Sequence, residues 1–113
     1  MQNRITHSND ISPNQRNGYV YRRLISQDVA PYNVLHIVVD GTHTARRVIA
    51  GIRNYYVITG QGSFTIEDVE YSVTAGTLVV INPGEIYSYT GQMELLEFNI
   101  PTDGGVAHED VLA

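Results

Sequence analysis

The groups this chain can bring to chemistry are imidazole, phenol, guanidinium and carboxylate. Histidine occurs at positions 7, 36, 43 and 108, there are eight tyrosines, and all seven basic side chains are arginine. Cysteine and lysine are absent, which removes thiolate nucleophiles, thiolate metal sites, Schiff bases and a lysine general base. His36 lies in the run N-V-L-H-I-V-V, on the face of Val34 and Val38, where imidazole serves either as a hydrogen-bonded structural group or as a pocket base. His7 and His108 sit in polar terminal stretches, and the acid pairs Glu67-Asp68 and Glu109-Asp110 fall at a turn and in a tail, where charge is solvated. Gly60-Gln61-Gly62 is not a dinucleotide fingerprint, because the third glycine and the following helix are missing. No G-x-S-x-G occurs, so there is no nucleophile elbow.

The elements that must position these groups are strands. Residues 55–89 alternate short apolar runs with glycine, Asp-Val and Asn-Pro-Gly breaks. Phe64 and Ile66 share one face, as do Val69, Tyr71 and Val73. Period-two alternation rich in β-branched and aromatic residues, with evenly spaced turns, predicts an all-β sandwich or barrel. The expected strands are 19–25, 33–39, 42–50, 55–59, 63–67, 69–74, 77–81, 85–89 and 93–100. Turns are expected at Asp40-Gly41, Gly60-Gln61-Gly62, Ala75-Gly76, Asn82-Pro83-Gly84 and Thr90-Gly91-Gln92. In 93–100, Leu96, Phe98 and Ile100 alternate and favour a closing strand. The expected organisation is a polar arm or edge extension (1–18), one barrel domain (19–101) and an acidic tail (102–113), with 26–32 as a connection containing Pro31.

Bulk properties limit the partners. A net charge of −5 and few basic residues argue against nucleic acid, which needs clustered positive charge. No apolar run is long enough to span a membrane, and residues 1–18 lack a secretory core, so the cytoplasm is the expected location.

The sequence resembles the small single-domain cupins over roughly residues 34–101. That family's second motif, G-x5-P-x-G-x2-H-x3-N, is recognisable as Gly76-T-L-V-V-I-Asn82-Pro83-Gly84-E-I-Tyr87. The end of its first motif, from the Glu to the closing Gly, corresponds to Arg53-N-Y-Y-V-I-T-Gly60. The resemblance implies a double-stranded β-helix, or jelly roll, in a single domain. It also implies a divalent metal held by three His and one Glu, and here this sequence departs from the pattern. The Glu position is Arg53 and the second-motif His position is Tyr87. The His-x-His pair falls on Arg46 and Val48, or on Arg47 and Ile49, depending on the spacer. A guanidinium has no lone pair to donate and repels a dication, so the expectation is a cupin with no metal and no metal-dependent chemistry.

In the same resemblance-based geometry Arg53, Arg46 or Arg47, and Tyr87 face the barrel interior, joined by Tyr55 and Tyr89 through period two. Guanidinium binds carboxylate and phosphate in a planar fork, so the expected ligand is a small anionic or sugar-like molecule. Competing with this, Arg53 could pair with Glu85, Glu94 or Glu97 and the tyrosines could be ordinary core residues. A second reading, by analogy with metal-independent cupin-like epimerases and isomerases, or with polyketide cyclases, makes His36 a base and Tyr87 an acid. A third is a structural or sensory module without catalysis. The resemblance further implies a homodimer, with the strand at 19–25 added to a partner's sheet.

Overall fold

The alternating sequence folds, in a computed structural model, into antiparallel strands with no α-helix among the described residues. Those are residues 5–25 and 32–100, together with the backbone of 108–110. After a 3-10 turn at Ser8–Asp10, the strands are β1 (Asn14–Arg16), β2 (Tyr19–Ile25), β3 (Asn33–Val48), β4 (Ile52–Ile66), β5 (Val69–Thr74), β6 (Leu78–Ile81), β7 (Ile86–Ile100) and β8 (His108–Asp110). They are hydrogen-bonded in the order β1-β2-β3-β7-β4-β5, with β6 on β4 and β8 on β3. The last long strand thus lies between the first two long strands, the non-local pairing of a jelly roll. No described helix is long and apolar enough to cross a membrane.

The structure replaces three expected turns with continuous strand. Asp40-Gly41 lies inside β3, Gly60-Gln61-Gly62 inside β4 and Thr90-Gly91-Gln92 inside β7. Hairpin chemistry was the right reading of these residues in isolation, but here glycine serves a bend. Gly91 pairs with Gly41 on one side and Gly62 on the other. A Cβ on Gly91 would sit 2.6 Å from the Gly62 Cα and 2.6 Å from the Gln61 carbonyl oxygen, and one on Gly41 would sit 2.9 Å from the Gly18 Cα. The backbones approach too closely there for any side chain, and this lets each long strand fold over from one wall of the barrel to the other. A genuine hairpin turn lies elsewhere. Glu67 and Asp68 join the paired strands β4 and β5 with φ of 48° and 68°, whereas residues 82–85 connect β6 to β7, which both pair with β4 and not with each other.

Strand phase then sorts the side chains. Leu35, Ile37, Val39, Val57, Phe64, Val73, Leu95 and Met93 point inward and form the apolar part of the core. In β7 the inward phase continues as Glu97 and Asn99, both buried. Leu96, Phe98 and Ile100, the residues whose alternation marks the strand in the sequence, occupy the outer face, with Ile100 53% exposed. The strand was legible, but which of its faces is internal was not.

At the termini, β1 pairs with β2 as an edge strand and β8 pairs with β3, so strands lie beyond both ends of the expected 19–101 barrel. His7 is exposed and accepts a hydrogen bond from the Asn9 amide. The expected connection around Pro31 lies outside the described residues, apart from Tyr32.

Gly91→Ala is expected to destabilise the fold by about 2–4 kcal/mol, since backbone atoms must move to admit the methyl. Gly76→Ala, where φ is +91° but no atom lies within 4 Å of the added Cβ, is expected to cost about 1 kcal/mol. Urea denaturation of the two variants checks the difference; equal losses would mean that close approach is not what the corner requires.

Candidate functional site

The bent strands bring residues from both walls together inside the barrel. From β7 come Tyr87, Tyr89, Glu97 and Asn99, from β4 Arg53, Tyr55 and Phe64, from β3 His43 and Arg46, and from β2 Tyr19. All follow the inward phase of their strands, with β3 passing through an irregularity between His43 and Arg46 and β4 through one between Val57 and Thr59.

His43 is 3% exposed and lies among aromatic rings. Its ring centroid is 4.5 Å from Tyr89 and 5.5 Å from Tyr87, both nearly parallel to it, and 4.9 Å from Tyr19. Across the interior, the Tyr55 and Tyr87 hydroxyls are 2.7 Å apart. One donates to the other, so the pair keeps a single O–H proton for a third group. The Arg46 Nη2 is 3.5 Å from the Tyr19 hydroxyl. This contact, with Arg47 exposed, makes Arg46 the arginine turned toward the interior.

Beside these phenols is a buried ion pair. Arg53 Nη1 donates to Glu97 Oε2 at 2.8 Å, with both side chains under a tenth exposed. Asn99 Nδ2 donates to the same carboxylate oxygen at 2.9 Å and to Asn33 Oδ1 at 2.7 Å. The Asn99 Oδ1 is buried without a partner among the described residues. Of the three acidic partners the sequence offers Arg53, Glu97 is therefore the one it takes.

Electrostatics follow from this packing. Burial pushes the Tyr87 hydroxyl up to about 12, reinforced by Glu97 and opposed by Arg53, the Tyr55 hydrogen bond and Arg46. Burial and Glu97 hold Tyr55 and Tyr89 well above the usual phenol range, and burial raises Tyr19 as well. Burial disfavours the Arg53 cation, but the Tyr87 and Tyr55 oxygens and Glu97 outweigh it and hold the guanidinium above its ordinary pKa. Near neutral pH the interior thus holds neutral phenols, fixed guanidinium charge and an imidazole.

The structure places Arg46, Arg53, Tyr55, Tyr87 and Tyr89 on one interior surface, and it separates His36 from them. His36 and His43 are on the same strand in opposite phase. His36 points to the outer face, where its Nε2 pairs with Glu94 Oε2 at 2.5 Å, so the His36–Tyr87 acid–base pair does not form. For the same reason the two histidines cannot converge on one ion. The sequence reading did not place His43, Asn99 and Tyr19 in this interior cluster, and it named Glu97 only as a possible partner of Arg53. The signal for His43 was its odd-numbered place on β3, in step with Leu35, Ile37 and Val39, but it was masked by reading Asp40-Gly41 as a turn.

The metal of the cupin family has no matching donor set here. The family's ligand positions present the guanidiniums of Arg53 and Arg46, the Tyr87 phenol and the Val48 side chain, and the Arg53 cation already occupies the Glu97 carboxylate. Among the described residues no group of three or more His, Asp or Glu side chains could hold an ion.

Comparison with known proteins agrees with the fold. Residues 54–107 match the AraC-like ligand binding domain. No curated relative matches the sequence significantly. Among solved structures, Streptomyces Pac13, titled a unique nucleoside dehydratase, superposes with a TM-score of 0.86 at 20% identity, covering 97% of this chain and 92% of that one. A histidine-to-glutamine variant of Pac13 with uridine gives 0.87 at 18%, covering 98% and 92%. Ectoine synthase from P. lautus gives 0.74 at 17%, covering 96% and 90%.

Two predictions test this site. The buried tyrosines have folded-state pKa values above their unfolded value of 10.0. The folded state therefore retains protons that the unfolded state has lost. The resulting stability is complete below pH 10 and lost as the pH rises through the folded values, reaching Tyr87 at about 12. Unfolding free energy measured from pH 9 upward is expected to fall over this window, and to fall less steeply in Tyr87→Phe. Arg53→Met is expected to cost about 3–5 kcal/mol by stranding the Glu97 carboxylate, with most of it recovered in the Arg53→Met/Glu97→Leu double variant. Denaturant titration of the full cycle checks this; additive losses would show that the two side chains are not energetically coupled.

Proposed function

The chain has the fold of the small single-domain cupins without that family's usual metal ligands, and from that premise we propose that it binds a small sugar-like molecule inside the barrel and transforms it by acid–base chemistry. The observation that carries this reading is the burial of the His43 imidazole among phenols, beside fixed guanidinium charge. A core built for packing alone would place aliphatic residues there. An imidazole shielded from bulk water, next to hydroxyls kept protonated, is instead suited to accept a proton and receive one back.

The ligand class follows from the lining. Rings of Tyr19, His43 and Tyr89 offer faces for a planar or sugar ring. The Tyr55–Tyr87 pair and the Asn99 carbonyl offer one donor and one acceptor for hydroxyl groups. Arg46, at the Tyr19 side, suits a carbonyl, carboxylate or phosphate substituent. A nucleoside or comparable polyol carries all of these features. The Pac13 structures support the choice. That protein is titled a nucleoside dehydratase, and its histidine-to-glutamine and tyrosine-to-phenylalanine variants were solved with uridine. Histidine and tyrosine are also the residue types that converge here.

In a dehydration, His43 takes a proton from a substrate carbon while the electrons of that C–H bond form the new double bond. The neighbouring C–O bond breaks, and its hydroxyl leaves as water after accepting a proton from the tyrosine pair, which the His43 imidazolium then restores. The metal-independent isomerase reading uses the same first step and differs in where the proton returns. His43 replaces His36 as the base in either case.

A thermal-shift series with uridine, other nucleosides, sugar phosphates and small carboxylates tests the binding. A true ligand at a hundredfold its Kd should stabilise the wild type by about 2.7 kcal/mol. His43→Gln is expected to keep that stabilisation and to lose turnover by about a hundredfold or more. No stabilisation by any member of the series would remove the binding reading. Turnover unchanged in His43→Gln would remove the assignment of the base.

A further inference from the structure

The concave face of the sheet does not end at the barrel wall, because register carries it outward over β2 and β1. Val39 pairs with Tyr19 and Tyr19 with Arg16, Ile37 pairs with Tyr21, and Leu35 pairs with Arg23. Leu35, Ile37 and Val39 are core residues, so Arg16, Tyr21 and Arg23 continue the inward phase onto the rim. Tyr21 is half-buried against the core, while Arg16 and Arg23 are exposed.

Both arginines are gathered on the Tyr21 ring. The guanidinium carbon of Arg16 is 5.2 Å from the ring centroid and that of Arg23 is 5.7 Å from it. Arg16 also donates from Nη2 to the Tyr21 hydroxyl at 3.0 Å and from Nη1 to the Gln15 carbonyl at 2.9 Å. Neither arginine forms an ion pair among the described residues, and the one buried carboxylate among them, Glu97, is held by Arg53. Two cations held at one ring repel each other, and each keeps N–H donors to spare, so the pair is poised for a shared anion. Rings join this rim to the interior. Tyr21 stacks with Tyr19 at 6.2 Å, and Tyr19 lies 4.9 Å from the His43 ring.

Resting on the reading of the interior as a site for a nucleoside-like or sugar-like molecule, we propose that Arg16 and Arg23 bind a phosphate group carried by that molecule. The substrate class is then a phosphate monoester of a nucleoside or sugar. Near neutral pH such a group carries close to two negative charges on three terminal oxygens, enough to engage both guanidinium forks. A carboxylate carries a single charge, and one arginine balances it, as Arg53 does for Glu97. The Tyr21 ring holds the two guanidiniums in place before the ligand arrives, which lowers the ordering cost of binding.

Calorimetric titration with paired ligands is the test: uridine against uridine monophosphate, and ribose against ribose 5-phosphate. The wild type is expected to prefer the phosphorylated member of at least one pair by about a hundredfold at low salt, the preference shrinking as salt is added. In Arg16→Gln/Arg23→Gln that preference is expected to fall to about threefold or less, and each single variant to remove part of it, so the result does not hang on the double variant alone. Circular dichroism confirms the barrel in each. Equal affinity for both members of each pair in the wild type overturns the phosphate assignment and leaves the interior site standing. Binding of no member of either pair overturns both readings. A preference that survives the double variant overturns the assignment to Arg16 and Arg23 and transfers it to Arg46. A uridine carboxylate bound as tightly as the monophosphate overturns the choice of phosphate.

Discussion

The structure depends on how closely its backbones approach at one line across the sheet. Gly41, Gly91 and Gly62 sit side by side on β3, β7 and β4, with Gly18 against Gly41. No Cβ fits between these strands, so the sheet can fold sharply there without breaking its hydrogen-bond ladders. Each long strand then serves both walls. β3 contributes Leu35, Ile37 and Val39 before the corner and His43 and Arg46 after it. β7 contributes Tyr87 and Tyr89 before it and Glu97 and Asn99 beyond. The contact between the Tyr55 and Tyr87 hydroxyls crosses from one wall to the other and exists because of this bend.

The interior is divided by the same geometry. Val39, Val57, Phe64, Met93 and Leu95 lie towards the corner, and the ionic and phenolic groups lie farther along the strands. The apolar part provides the burial that stabilises the fold. The polar part contributes little net stability, because an ion pair such as Arg53–Glu97 is roughly offset by the desolvation of both charges. Its worth lies in orientation. Glu97 is held by Arg53 and Asn99 together, Asn99 by Asn33, and the phenols beside them are kept neutral by burial and by the carboxylate. Arg53, at the position where the cupins this sequence resembles carry a metal-binding carboxylate, provides a permanent cation instead.

Much of this was legible in the sequence, and the limits have physical causes. The all-β class followed from period-two alternation, and the jelly roll was what the resemblance to the cupins implied. Arg53, Tyr55 and Tyr87 were located because they stand at, or two residues from, positions that spacing defines. Two features were not legible. A glycine in a turn signal and a glycine at a barrel corner have the same local chemistry, and only the neighbouring strands distinguish them. Reading Asp40-Gly41 as a turn broke β3 in two and lost the phase that carries His43 inward. The second was the facing of β7. Leu96, Phe98 and Ile100 alternate as well as any core strand, and nothing local to M-E-L-L-E-F-N-I says that its Glu97 has a buried arginine waiting on β4.

That inversion links the interior to the exterior. A strand has two faces, and placing Glu97 and Asn99 inside sends the adjacent large apolar residues outside. The same holds on β4, where Arg53 and Tyr55 are buried and Tyr56 and Ile58 are turned outward. A small domain that fills half its barrel with charge and hydroxyl has correspondingly less apolar burial available inside. The apolar area displaced to the outer face can still contribute if another surface removes it from water. A polar interior and an apolar exterior are therefore two consequences of one choice of strand phase. A substitution that made the interior conventionally apolar would remove its polar cluster without removing the exposed face, so the two properties can be separated by mutation even though they arise together.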